Sequence, residues 1–334
     1  HPRVGAFNGG GAHFYFPQRK KKKPDRAPPR GTHGQAVAFC ARQYGIGATI
    51  VVPHGNSVEK NAAMRSFGAT LIEHGHDFQA ALEHAQSLAK DRGLHMVPSF
   101  HPLLVAGVAS ASLELFRAVP DVQTVYVPIG LGSGICAAAA ARNAVGSSAE
   151  IVGVVSAHAR AYALSFSAHR PIEAEAATRL ADGMAVRTPD AAALELILEQ
   201  VERIVEVTDD EVALAIAILF QCTHNCAEGA GAAPFAAMRK ERARPAGRKV
   251  AAGASAGLFR GLLRGRRPVG IDADHVRALR ARLLHERHHV DGGVRRVDAP
   301  QHHQVAADHL VRVAAGDGAH GGAPARVRGL DADR

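Results

Sequence analysis

The sequence predicts an α/β protein built on parallel sheets with helices packed against both faces. Three observations carry that prediction. Short apolar runs, ATIVVP, TVYVPIG and EIVGVVS among them, alternate with longer stretches of helical period through the middle of the chain. These runs are apolar at nearly every position rather than at every second one, the pattern of strands buried on both faces. The composition is 47% hydrophobic but only 5% aromatic, with 34 Gly and no Trp in 334 residues. That balance suits layers rich in Ala, Gly and Val better than an all-β sandwich.

Each element has a local cause. In RGTHGQAVAFCARQYGI, Gly31 and Gly34 flank His33, and a helix follows with Val37, Cys40, Ala41 and Tyr44 inward, closed at Gly45. ATIVVP is a strand ending at Pro53, after which Asn56 is placed to cap a helix with Glu59 three residues on. After ATLIEHG, Asp77 caps a helix whose apolar face is Phe78, Ala81, Leu82, Ala85, Leu88 and Ala89, ended by Gly93. HMVPSF reads as the next strand and Pro102 to Leu115 as the next helix. TVYVPIG runs into a glycine-rich turn, and GICAAAAARNAVG is a helix closed by Gly146. EIVGVVS follows as a buried strand. Thr208 and Glu211 form a capping box opening DEVALAIAILFQC, and RKVAAGAS is a weaker last strand.

The two ends differ from this middle. From Phe259 on there is no further aromatic residue and no Lys, while Arg, Ala, Gly, Val, Asp and His dominate. HVRALRARLL can form one amphipathic helix through Val276, Leu279 and Leu283; the rest lacks a period and reads as disordered. Residues 9–30 are similarly without pattern. Arg in place of Lys is what an Arg-rich frame of a GC-rich gene would produce, so both ends are expected to be frame-shifted or degenerate. Resequencing the gene tests this, and an intact single frame shared by close relatives would sink it.

Charge and cysteines narrow the function classes. The formal net charge of +9 comes largely from RKKKK, Arg19 to Lys23, and from the Arg-rich tail, while the middle mixes both signs. No basic patch on a folded face is implied, which argues against nucleic acid as partner. No apolar run reaches the length of a membrane span, and no signal pattern opens the chain. The first residue is not Met, so the native start is expected upstream. Four Cys without framework spacing argue against a disulfide scaffold. The expectation is a soluble, cytoplasmic protein.

Three glycine-rich stretches carry chemistry. In VPIGLGSGIC, Gly130, Gly132 and Gly134 punctuate a turn between strand and helix. Backbone N–H groups there can converge on an anion with the helix N-terminus behind them, or the turn can need glycine for packing alone. The stretch is neither a P-loop nor a close dinucleotide fingerprint. The entry around His33 has ligand-facing geometry or is a plain cap. AEGAGAA, Ala227 to Ala233, allows close approach to a ligand or to another helix. CTHNC offers Cys222, His224 and Cys226, one ligand short of a usual zinc set and unusually spaced, so no metal is expected. There is no hydrolase elbow motif.

Together with MRSFGATLIEHG and LADGMAV, these stretches stand in order from about Gly31 to Gly247 and resemble the threonine/serine dehydratases, pyridoxal-phosphate (PLP) enzymes of fold type II. The resemblance implies two α/β domains with a cofactor cleft between them: residues 1–34 as an N-terminal part of the large domain, 35–117 as the small domain, 118–256 as the large cofactor-binding domain, and 257–334 as a disordered tail. It implies that Gly130, Leu131, Gly132, Ser133 and Gly134 hold the phosphate, with the family's glycine lost at Leu131 and Ser133. The family's Asn beside the cofactor ring falls on Thr32, and its Ser at the pyridine nitrogen on Ser255.

One carry-over fails chemically. VGAFNGGG is similar to the family's Val-Gly-Ala-Phe-Lys-x-Arg-Gly, which places the lysine that bonds to PLP on Asn8 and the Arg on Gly10. An amide nitrogen has its lone pair delocalised into the carbonyl. It can neither attack the cofactor aldehyde nor take the substrate α-proton, two tasks the family gives to one lysine. The resemblance implies β-elimination of a β-hydroxy amino acid to a 2-keto acid and ammonia. It also implies a homo-oligomer acting on a small amino-acid substrate. Two alternatives stand beside it: a catalytically inactive remnant, because of Asn8, and a serine-racemase-type activity, which starts with the same proton removal.

Overall fold

The computed structural model describes residues 31–244 and 248–253, together with 12, 15 and 16 and two short segments at 294–295 and 310–313. Two sheets organise it. In the smaller, β1 (Thr49–Val52) lies parallel to β2 (Thr70–Glu73). Around it are α1 (Gly31–Gln43), α2 (Val58–Ser66), α3 (Phe78–Asp91) and α4 (Pro102–Ala118). Ile50 and Val52 share a core with Val37 and Cys40 of α1, Met64 of α2 and Leu104 of α4, joined by Ala12, Tyr15 and Phe16.

The larger sheet has the order β5-β4-β3-β6-β8-β7. Its parallel part is β3 (Thr124–Pro128), β4 (Glu150–Ser156), β5 (Arg203–Val207) and β6 (Val250–Gly253). Between these strands run α5 (Ser133–Ala144), α6 (Ala161–Ala168), α7 (Ala191–Gln200), α8 (Asp209–Thr223) and α9 (Gly229–Lys240). The unbroken apolar runs have their cause here. Val125 and Val127 of β3 and Ile151 and Val155 of β4 enter one core with α5, α7 and the end of α4. Tyr126, Val152 and Val154, the residues of opposite parity, enter a second core with α8 and α9. Each fully buried side chain of this size contributes about 1.5–3 kcal/mol of transfer free energy.

Most of the expected elements form with the expected ends. Asp77 caps α3 through its carboxylate and the Ala80 N–H, at 2.9 Å, and the Thr208–Glu211 capping box opens α8. Two expectations are corrected. The cap of α2 is Ser57, not Asn56, its hydroxyl accepting from the Lys60 N–H. HMVPSF is not a strand: Val97 is buried, but Pro98 offers no N–H to a ladder. In the stretch after Phe259, β8 (Leu310–Val313) pairs antiparallel with β6, and β7 (Val294–Arg295) pairs antiparallel with β8. Without them β6 would present an open row of N–H and C=O groups, which any extended segment can satisfy. The rest of residues 257–334, and residues 1–34 apart from those named, lie outside the described residues. No helix among the described residues is long and apolar enough to cross a membrane.

A polar pin closes the end of the sheet where the strands begin. The buried Tyr126 of β3 donates to Glu241 Oε2 at 2.8 Å, and Arg203 of β5 grips both oxygens of the same carboxylate at 2.7 and 3.2 Å. Burial opposes ionisation of Glu241, but the bonds from Arg203 and Tyr126 outweigh it and hold its pKa below the ordinary value. Arg248 donates to Glu150 at the start of β4, at 2.8 Å. Tyr126→Phe should remove one hydrogen bond while Arg203 keeps the carboxylate paired. We expect a loss of about 1–2 kcal/mol, read as a lower urea midpoint with an unchanged slope.

Candidate functional site

The site is built where β3 ends. Ile129 N–H still pairs with the Val154 carbonyl of β4, at 2.8 Å, and the chain then turns through Gly130, Leu131 and Gly132 into α5. Gly132 has φ +97° and is the N-cap of α5, with no side-chain hydrogen bond capping the helix. The N–H groups of residues 130–132 donate to no carbonyl or side chain among the described residues, and those of the first helical turn have no partner by helix geometry. An uncapped helix N-terminus at the C-terminal end of a parallel strand suits an anion. The turn thus lies at the expected end of the sheet.

Only glycine fits two of its positions. A Cβ on Gly130 would lie 2.5 Å from the Gly183 carbonyl oxygen, and one on Gly132 would lie 2.6 Å from Ala193 Cβ. Leu131 and Ser133, the other two positions of the turn, carry side chains, Ser133 being the first residue of α5. Gly183 belongs to the short 3-10 turn Asp182–Met184 within LADGMAV. In the AEGAGAA stretch, α9 starts at Gly229, where a Cβ would collide with the Leu180 carbonyl, so its small residues serve close packing.

The remaining charges converge on that turn. Lys60 of α2 donates to Asp182 at 2.6 Å and lies 3.7 Å from Glu228, which precedes α9. Burial alone would lower the pKa of Lys60, but the two carboxylates outweigh it and hold the ammonium above its ordinary value. A second ion pair joins the same two parts of the chain, Arg187 to Asp77 at 2.9 Å. His33, in the first turn of α1, is half-buried. Its Nε2 is closed off from solvent with no hydrogen-bond partner among the described residues. Burial lowers its pKa to about 4 against a hydrogen bond with the Pro98 backbone, so the ring is neutral.

Of the residues expected from sequence, Gly130, Leu131, Gly132, Ser133 and Gly134 stand together at the end of β3. Thr32 lies in the first turn of α1. Asn8 and Ser255 lie outside the described residues. Sequence reasoning passed over Lys60, Asp182 and the unsatisfied nitrogen of His33, although Asp182 stands inside a quoted motif. Among the described residues no group of His, Cys, Asp or Glu gathers as metal ligands, and His224 of CTHNC is the left-handed cap that ends α8.

The geometry has known counterparts. Residues 27–256 match the family described as pyridoxal-phosphate dependent enzyme. The chain is 33% identical over 244 residues to an L-threonine ammonia-lyase of Geobacter sulfurreducens, covering 72% of this chain and 61% of that one. A solved threonine deaminase of T.th. superposes with a TM-score of 0.68 at 28% identity, over 76% of this chain and 84% of that one. The processed form of threonine deaminase isoform 2 from Solanum lycopersicum superposes with a TM-score of 0.72 at 24% identity, over 84% of this chain and 75% of that one. The chain spans less than two thirds of the length of the curated ammonia-lyases it matches.

Two outcomes follow from the site's geometry. Gly132→Ala adds a Cβ against Ala193 at a positive φ, and should cost about 2–4 kcal/mol in denaturant unfolding. The pH dependence has a definite sign. His33 has a folded pKa near 4 against an ordinary 6.5, so the unfolded chain binds the extra proton first. Its contribution is intact above pH 6.5 and is lost as pH falls towards 4, by at most about 1.4 kcal/mol per pH unit. A His33→Gln variant, compared with the parent in urea unfolding across that window, should show a shallower slope.

Proposed function

Because this chain belongs to the family of pyridoxal-phosphate dependent enzymes, we propose that it holds PLP at the end of β3 and is of threonine/serine dehydratase type. The reaction of that type is loss of the α-proton and β-hydroxyl of a hydroxy amino acid, ending in a 2-keto acid and ammonia, and it needs an amine and a base at the position that Asn8 occupies. The observation that carries the proposal is the uncapped N-terminus of α5, with the N–H groups of residues 130–132, which have no acceptor among the described residues. A phosphate dianion satisfies those donors and the positive end of the helix together. On this reading Thr32 would serve the ring oxygen and Ser255, which lies outside the described residues, the pyridine nitrogen. The protein works in the cytoplasm as a homo-oligomer.

Bound PLP supplies an electron sink for the carbanion left when the α-proton departs. The chain must supply the base and the amine, and Asn8 is neither. Lys60 is no substitute, because two carboxylates keep it as an ammonium without a lone pair for attack. The chain as written should therefore bind PLP without bonding to it and release no keto acid.

The test compares the parent with Asn8→Lys. Borohydride should trap PLP on the variant alone, located by peptide mass, and threonine or serine should yield keto acid only with the variant. Recovery should be partial, since Thr32 and Gly10 still depart from the family pattern. Robust turnover by the parent, with the adduct on another lysine, would refute the role given to position 8. D-serine formed from L-serine, with no keto acid, would move the reading to a racemase.

A further inference from the structure

The glycine turn is held from outside by one side chain. Tyr162, in the first turn of α6, is 2% exposed. Its hydroxyl donates to the Leu131 carbonyl at 3.1 Å and accepts from the Asp190 N–H at 3.1 Å. A phenol has one proton to give, so the Asp190 N–H, which can only donate, directs that proton to Leu131. Burial raises the Tyr162 pKa above its ordinary value, so the proton stays in place. Asp190 is fixed in turn: its carboxylate caps α7 by accepting from the Ala193 N–H at 3.0 Å. Ala193 is the residue against which Gly132 is wedged.

We infer that Tyr162 is a positioning residue for phosphate binding, setting the direction of the Gly132 N–H by holding the Leu131 carbonyl. The reason is peptide geometry. In a planar trans peptide the C=O and N–H point in opposite directions. The carbonyl of Leu131 and the N–H of Gly132 belong to one such plane. With the carbonyl tied to Tyr162, the N–H must point away from α6 and α7. Glycine at φ +97° leaves that plane otherwise free to rotate, since no Cβ restricts it. The hydroxyl makes good the freedom that the glycine introduces.

The inference rests on the reading of this turn as a phosphate site, and the experiment separates the two. Equilibrium dialysis of the full chain measures the affinity for PLP and for pyridoxal, which lacks the phosphate. The parent should prefer PLP, and Tyr162→Phe should lower the preference about tenfold, the effect of one well-made hydrogen bond, with pyridoxal affinity unchanged. A purely structural role would weaken both ligands alike. Asp190→Pro, read against Asp190→Ala, provides a second comparison: both lose the carboxylate that caps α7, the φ of −73° accepts proline, and only proline withdraws the N–H while leaving Tyr162 in place. Asp190→Pro should lower the same ratio below that of Asp190→Ala. If the variants keep the parent's ratio, or weaken both ligands in parallel, the positioning role is overturned while the phosphate site stands. If the parent itself does not prefer PLP over pyridoxal, the phosphate reading falls and takes this inference with it.

Discussion

Three glycines lie so close to a neighbouring segment that no Cβ fits on them, and these contacts fix the packing around the end of β3. Gly130 lies against the Gly183 carbonyl, Gly132 against Ala193, and Gly229 against the Leu180 carbonyl. The 3-10 turn Asp182–Met184 is thereby trapped between the end of β3 and the start of α9. A methyl group at any of the three would push these segments apart, and close-packed interiors do not absorb such a shift cheaply. The turn that presents Asp182 is rigid because of glycines distant from it in sequence.

On this frame the part of the chain around the small sheet is tied to the part around the large one by ion pairs of modest strength. Lys60 reaches Asp182 and Glu228, and Arg187 reaches Asp77. Asp182 and Arg187 keep substantial exposure, at 52% and 38%. Pairs so placed contribute on the order of 1 kcal/mol or less each. They join the two parts far more weakly than the packed cores hold each part together. The polar pin at the other end of the large sheet behaves differently. Arg203 and Glu241 are 19% and 17% exposed and share their bonds with a buried Tyr126, so they act as a fixed part of the core.

Much of the fold was legible because its causes are local. The buried strands announce themselves through unbroken apolar runs, and the helix ends through Asp77, Thr208 with Glu211, and glycines of positive φ such as Gly45, Gly93 and Gly146. Where expectation missed, a competing partner decided. Ser57 and Asn56 are both good caps, and only the path of the chain into α2 selects Ser57. HMVPSF has the composition of a strand, but Pro98 withholds an N–H from any ladder and no strand forms there. β8 pairs because β6 offers an edge, and β7 because β8 then offers the next, a fact about the sheet rather than about their own residues.

By itself the sequence determined the layer architecture, the family pattern, the glycine turn after β3 and the lack of an amine at Asn8, since composition, periodicity and residue chemistry are carried along the chain. The tertiary structure decided the electrostatics. Lys60 and Asp182 are 122 positions apart, Tyr162 and Leu131 are 31 apart, and the backbone group that hydrogen-bonds the buried His33 ring belongs to Pro98, far along the chain. No local pattern encodes those meetings. Whether a lysine is an available amine or a paired ammonium, and whether a tyrosine aims a peptide, depends on distances and desolvation that exist only once the chain has closed on itself.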